Sequence, residues 1–358
     1  MRALPNPRIR QALGLLAVVL LPLPTAAGAV DQGVRVLLLE SREPVAVAGA
    51  RIRPAPSGLF VGSEALGRVW RAPGPGPHAV GSLRVRGAVE VQSTGAGLRV
   101  VNHVGLEDYV AGTLGREVYP DWRMETLKAQ AVATRTYAVY RLGHRRSAAF
   151  DLGADTTDQV YGGAGAETPR IRAAVEATRG QILAHRGAPI LSVFHSASGG
   201  RTASSKEVWG RALPYLTSRP VPHEDDSPDT YWRATFTGTT LGRALAPLDL
   251  RLGTIRQLRV SDRSRSGRVQ RVQVSGTEGS GELTGRELRS ALGAKTIRST
   301  LFEIRSGGGK FTFTGSGYGH GVGMSQWGAE AMARRGAQYD EILETFYPGT
   351  VLARSDRP

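Results

Sequence analysis

The stretch GLEDYVAGTLGREVYPDWRMETLKAQAVATRTYAVY, residues 105–140, carries two helical patterns broken by a turn. The first, LEDYVAGTLGREV, reads as a helix that ends at Glu117, just ahead of the turn at Pro120. The second, METLKAQAVATRTYAVYRLGHR, predicts a helix of roughly twenty residues, with Asp121 placed to cap its start. Leu127, Ala131, Thr134 and Ala138 recur at helical spacing, so they form the expected core stripe. Two pairs lie seven residues apart: Lys128 with Arg135 on one flank, Gln130 with Tyr137 on the other. On a surface helix such charges are simply solvated. Glu117, at an element end, can project into a cleft, although an exposed glutamate is the commonest use of that residue type.

Upstream, residues 34–104 show short β-rich runs (VRVLLLE, VAVAGARIR, GSLRVRGAVEVQ, GLRVVNHV) punctuated by Gly and Pro. Downstream, DLGADTTDQVYGG reads as a loop and PRIRAAVEATRG as a helix closed by glycine. QILAHRGAPILSVFHSASGG reads as a hairpin that enters a Ser/Gly loop. A β-rich stretch over about 233–313 is interrupted by helices at TLGRALAP and TGRELRSALG, and MSQWGAEAMARRG and QYDEILETFYPG supply two more helices. The expected class is α+β, with mainly antiparallel strands and helices around a groove and a small N-terminal β region over 30–97. Residues 353–358 form a tail.

Composition narrows the chemistry. The chain has 358 residues, 41% of them apolar, and no cysteine. Disulfides, thiol catalysis and cysteine-bound zinc are thereby excluded. Residues 1–29 combine Arg2, Arg8 and Arg10, an apolar run from Ala12 to Leu21 and a small-residue ending at Ala29, the pattern of a cleaved export signal. Pro22 and Pro24 stop that run short of the ~20 residues that span a bilayer, so no stable transmembrane anchor is expected. Its removal takes away three arginines and no acids, lowering the formal charge from +15 to +12. A basic exported protein meets anionic wall polymers; export argues against nucleic acid, and a solvated basic surface fits equally well.

Near the C-terminus, GSGYGHGVGMSQWGA places glycine at every second position from Gly315 to Gly323. As an extended strand it would have one bare face and one carrying Ser316, Tyr318, His320 and Val322. The run fits neither GxGxxG nor a P-loop, and HExxH and GxSxG are absent from the chain. Two uses stay open: a flat surface for a sugar chain or helix, or close packing of backbone against a neighbour. SVFHSASGGRT gathers a histidine and several hydroxyls where a strand enters a loop, a donor cluster or a mere turn. His223-Glu224-Asp225-Asp226 reads as a polar loop, not a metal site.

GLEDYVAGTLGREVYPDWRMETLKAQAVATRTYAVY, DTTDQVYGG, FHSASGGRTASSKEVWG with PYL, and GSGYGHGVGMSQWGAEAMARRGAQYDEILETFYPGT occur in this order and together resemble the SpoIID/LytB family, over about residues 98–352. The resemblance implies a bacterial cell-wall protein. Family members of known activity look like lytic transglycosylases that cut peptidoglycan glycan strands stripped of peptide, and the LytB name implies a non-catalytic enhancer of a wall amidase as the alternative. It implies Glu117 as the catalytic residue and Lys128 and Arg135 as basic groups of the following helix, expected to meet substrate carboxylates. Tyr137, Gln159, Tyr161, His195, Ser196, Ser198, His320, Ser325 and Gln326 are the further expected substrate-binding residues. Some relatives bind zinc through a histidine and two cysteines near DLGADTTDQVY, where this chain has Thr157-Asp158, so no metal and no cofactor is expected.

One carboxyl group can protonate a departing glycosidic oxygen and then take the proton of the muramyl C6 hydroxyl as it closes on C1. A hydrolase of the usual kind needs a second carboxylate. Glu107 and Asp108 stand nearly three turns from Glu117, too far along the axis to serve. As an acid near neutral pH, Glu117 needs burial or apolar neighbours such as Val118, Tyr119 and Trp122.

Overall fold

A computed structural model describes residues 33–74, 76–144 and 149–355. The export segment expected at 1–29 lies outside the described residues. The first hydrophobic run, Gly33–Ser41, alternates Val34 and Val36 inward and becomes the second strand of a five-stranded sheet. In that sheet Gly33–Ser41 and Ala88–Thr94 flank Gly97–Gly105 antiparallel, Val69–Arg71 forms one edge, and Leu152–Gly153 adds a short parallel strand at the other. Six shorter strands between residues 45 and 85 form a second sheet.

Eight α-helices occur among the described residues: α1 (Leu106–Glu117), α2 (Met124–Gly143), α3 (Pro169–Ala177), α4 (Ser205–Trp209), α5 (Gly238–Leu245), α6 (Gly285–Leu292), α7 (Gln326–Arg334) and α8 (Tyr339–Phe346). One apolar cluster runs from Val34 to Val175, so the N-terminal strands share a core with α1, α2 and α3 across residue 97. A second cluster joins α2 to α7 and α8. The expected core stripe of α2 is buried, but so are Ala129, Val132 and Ala133 on its other faces. This helix is central: alanine and threonine nearly all round let helices pack close on every side. Asp121 does not cap it. Arg123 holds the N-cap position, and buried Glu330 of α7 accepts from Arg123 N at 3.0 Å and from Thr126 Oγ1 at 2.8 Å. A carboxylate there also complements the positive end of the helix dipole.

The hairpin expected at QILAHRGAPIL forms, with Gln181–His185 paired to Ala188–Pro189 and to the late strand Val351–Arg354. Residues 232–315 build two three-stranded antiparallel sheets with α5 and α6 around a separate core that includes Leu241, Leu288 and Phe313. The α+β class with mainly antiparallel strands is therefore what the chain adopts.

The glycine run departs from the expected strand. Only Gly315 ends one; Gly317, Gly319, Gly321 and Gly323 all have φ between +72° and +113°. The chain therefore winds, with no single bare face. It threads between other segments through Tyr318 N to Ala197 O at 2.8 Å, Gly319 N to Arg298 O at 3.0 Å and Ala203 N to Gly321 O at 2.7 Å. A Cβ on Gly319 would lie 2.7 Å from the His195 Cβ, and one on Gly321 would collide with the Arg268 guanidinium. Of the two uses left open, close packing is the one observed.

Candidate functional site

Glu117 closes α1, and the chain turns extended at Val118. Tyr109, Thr113 and Glu117, four residues apart, form one stripe of that helix. The stripe faces the loop after Leu152–Gly153: Gln159 Oε1 accepts from Tyr109 Oη at 2.9 Å, and Val160 N donates to Glu117 Oε1 at 2.8 Å. Gln326, the first residue of α7, sends Nε2 to the Glu117 carbonyl at 3.1 Å. Burial pushes the Glu117 carboxyl above the ordinary glutamate range, against the opposing pull of the Val160 N–H and Gln326. Among the described residues Glu117 has no ion-pair partner.

The turn that follows Glu117 carries an aromatic group. Tyr119 lies 5.3 Å from Trp122 and 6.0 Å from Trp327, and the two tryptophans meet edge-on at 5.0 Å, all between ring centroids. Trp122 is buried, whereas Tyr119 is 54% exposed and so presents a ring face to solvent. Two of the three rings come from the turn between α1 and α2, the third from α7.

The basic flank of α2 is used differently from expectation. Arg135 is wholly buried, its Nε and Nη2 bound to the Glu107 carboxylate at 2.8 and 2.6 Å, with Nη1 on the Gln181 carbonyl at 3.1 Å. A side chain so enclosed does not meet a substrate carboxylate; it ties α1 to α2 and to the following strand. Lys128 pairs with Glu125 at 2.7 Å and lies over the Tyr339 ring of α8. Two residues along a helix is a rotation of about 200°, so Lys128 faces away from Gln130, whose Oε1 accepts from Gln326 Nε2 at 3.4 Å.

Other expected residues hold loops. The Tyr137 hydroxyl donates to Asp158 Oδ1 at 2.8 Å, Arg141 pairs with the same carboxylate, and burial is the main cause pushing the phenol up to about 12. Asp158 also accepts from Gly153 N at 2.8 Å, so this ion pair pins the loop that delivers Val160. Tyr161 is buried, stacked on Tyr109 and bonded to Asn102 Oδ1 at 3.0 Å. Ser198 and Ser325 are buried against Glu224, whose carboxylate accepts from both hydroxyls and from the backbone of Ser198 and Gly200. Ser325 is also the N-cap of α7, so Glu224 fixes the start of the helix that bears Gln326 and Trp327. Ser196 accepts from Trp327 N through its carbonyl at 3.0 Å.

His195 and His320 stand 5.6 Å apart between ring centroids, away from any carboxylate ion pair. Burial lowers both, His320 to about 4, so both are neutral near pH 7. Gln159, Gln326 and Glu117 are thus brought together. Lys128 and Arg135 are turned to other contacts, and Tyr137, Tyr161, Ser198 and Ser325 support the loops and helix behind the site. Three residues received no site role from sequence: Trp327, for which the QW pair at a helix start is the local signal, Gln130, placed only on a flank with Tyr137, and Glu224, read as part of a polar loop.

The family described as Stage II sporulation protein (SpoIID) matches residues 94–185, which span α1, α2 and the loop that delivers Val160. Stage II sporulation protein D of Bacillus subtilis is 33% identical over 272 residues, covering 72% of this chain and 76% of that protein. The chain belongs to the SpoIID family. An uncharacterised protein of Brachyspira hyodysenteriae is 35% identical over 259 residues, 72% of this chain and 69% of the relative. The amidase enhancer of Bacillus subtilis is 31% identical over 287 residues, 67% of this chain but 40% of that longer protein. Residues 223–323 match a domain of unknown function (DUF8618) that contains the two small sheets and all five alternating glycines.

Proposed function

We propose that this SpoIID-family protein is an exported lytic transglycosylase that cleaves MurNAc–GlcNAc bonds of peptide-stripped glycan strands and leaves 1,6-anhydro-MurNAc ends. The observation that carries the reading is Glu117: a carboxyl raised by burial and hydrogen-bonded on one oxygen, two residues ahead of an exposed tyrosine in the chain. Burial favours the protonated form that gives a proton to the leaving oxygen. The Val160 N–H and Gln326 favour the ionised form that results, which then takes the C6 hydroxyl proton as that oxygen closes on C1. One group therefore serves both half-steps, and Tyr119 offers a face for a sugar ring.

The other acids of α1 are committed elsewhere, Glu107 to Arg135 at 2.6 Å and Asp108 to Arg172 at 2.7 Å. A two-carboxylate hydrolase finds no second acid on this helix. Export rests on the composition of residues 1–29; among the described residues no helix is long and apolar enough to cross a membrane. The partners in this reading are glycan strands, with a wall amidase as the source of peptide-free substrate and no nucleic acid.

The test is to incubate purified protein with peptide-free glycan and look for anhydro-muramyl ends by mass spectrometry, with Glu117→Gln as control. Products made equally well by Glu117→Gln would refute the catalytic role. No product from either protein, together with stimulation of an added amidase, would favour the second reading, for which the name of one relative is the supporting observation.

A further inference from the structure

The charge of the chain is unevenly placed. Residues 232–315 hold fifteen Lys and Arg against six Asp and Glu, a formal charge of +9 out of the +12 found beyond residue 29. These residues form the two small sheets, which use their arginines differently. On the sheet of Ile255–Arg263, Val269–Gly276 and Ser280–Thr284, Arg271 pairs with Glu282 at 2.6 Å and Arg259 donates to Gln273 Oε1 at 2.6 Å. There both arginines are answered within the sheet.

The other sheet sets Trp232–Thr237 and Phe302–Gly307 on either side of Lys310–Gly315. Trp232, Phe302, Phe311 and Phe313 point into the core, so the residues that alternate with them face outward. The register fixes what that outer face carries. Thr235 stands opposite Thr312, their hydroxyls 3.2 Å apart, and Arg305 stands opposite Thr312 from the other side. Arg233 and Lys310 are each two residues from one of those threonines, on the same face. Each cation is therefore about 5–7 Å from the threonine pair, measured along the backbone grid. All three are exposed, and among the described residues no hydrogen bond or ion pair engages their side chains. Glu303, the acid of this face, is bound to Arg263 at 2.8 Å.

Three unpartnered cations around two hydroxyls suit an oxyanion, which takes charge-assisted bonds from the guanidinium and ammonium groups and accepts from the threonines between them. The form of the face decides the form of the ligand. It is open and its charges lie on successive rows, which matches a strand whose anions repeat rather than one enclosed anion. It carries no apolar side chain to enter a bilayer. A phosphodiester keeps its charge throughout the neutral and acid range and leaves two oxygens free for the forked donors. We infer that this face docks the protein on a linear phosphodiester polymer of the cell envelope, so that the 223–323 region holds the chain in place while the family core meets glycan. The inference rests on the proposed export and is independent of the catalytic role of Glu117.

The experiment measures binding of the full mature chain to immobilised poly(glycerol phosphate) by biolayer interferometry, with dextran as the uncharged control and phosphatidylglycerol vesicles as the membrane control. Two triple variants remove equal charge from exposed positions. Arg233→Gln with Arg305→Gln and Lys310→Gln is expected to weaken polymer binding at least tenfold, whereas Arg256→Gln with Arg259→Gln and Arg271→Gln on the other sheet stays within threefold. Arg305→Gln alone is expected to weaken it severalfold at an unchanged melting temperature. No binding of the polymer by the parent, or equal weakening by the two folded triple variants, would overturn the inference, the second because net charge alone would then account for binding. Vesicle binding as tight as polymer binding, and lost in the first triple variant, would overturn it in favour of a membrane surface. Polymer binding that depends on this face, by a protein that makes no anhydro ends, would uphold the inference and refute the catalytic reading instead.

Discussion

Arg135→Met separates a structural role for this arginine from a substrate-binding one. The guanidinium makes two charge-assisted bonds to Glu107 at 2.8 and 2.6 Å and further bonds to the Gln181 carbonyl at 3.1 Å and the Val175 carbonyl at 3.3 Å. Methionine is close in length and supplies none of them. The Glu107 carboxylate would remain buried, with the Gly180 N–H at 3.1 Å as its nearest surviving donor. Removing one member of such a pair costs about 3–5 kcal/mol, because an uncompensated charge is left in low dielectric. Replacing both, with Glu107→Gln added, removes the stranded charge and should recover most of that loss. Urea unfolding of the wild type, both single variants and the double variant gives the coupling energy directly. Glycan cleavage measured at low temperature, per mole of folded protein, should stay near wild type in Arg135→Met. A variant within about 0.5 kcal/mol of wild-type stability that has lost activity would refute this argument and restore the arginine to the substrate.

Two further predictions concern the carboxyl and the glycine run. The folded-state pKa of Glu117 lies above its unfolded value, so ionising it costs stability as pH rises between the two. Glu117→Gln should therefore be more stable than wild type above that range and show no advantage at pH 3, and wild-type cleavage should decline as pH rises through the same pKa; pH-dependent melting and rate profiles check both. Gly319→Ala places a Cβ 2.7 Å from the His195 Cβ at a φ of +113°, so unfolding should become easier by at least ~1–2 kcal/mol from the backbone alone, and unchanged melting with lost cleavage would return the run to a glycan-facing surface.

Local signals were legible wherever a single element explains a residue. The helices at LEDYVAGTLGRE and METLKAQAVATRTYAVYRLG, the two capped by Thr168 and Thr284, and the hairpin at Gln181–Pro189 follow from spacing, caps and turn chemistry. Where two distant segments meet, that reasoning stopped short. Asp121 looks like the cap of α2, but a carboxylate from residue 330 occupies the place. Alternating glycine looks like a strand because period two is the strand signature. Positive φ at every second residue produces the same pattern, and only the packing against Ala197, His195 and Arg268 distinguishes them.

The same limit explains the site. Residue pattern alone leaves Glu117 as an ordinary helix-end glutamate, and the family resemblance is what singles it out; its raised pKa follows from the burial that the fold imposes there. Its partners are not local: a loop N–H from residue 160 and an amide from residue 326, while a ring from residue 327 packs on the neighbouring Tyr119. What brings them in is a chain of buried contacts invisible in sequence. Glu224, in a run that reads as a solvated acidic loop, holds the Ser325 hydroxyl and with it the start of α7. Glu330, one turn further along α7, grips the start of α2. Helix α7 is thereby fixed at both points against the helix pair that presents Glu117. A buried acid with all its oxygens engaged and an exposed acid look alike as letters, so charge runs such as HEDD are where sequence most underestimates structural order.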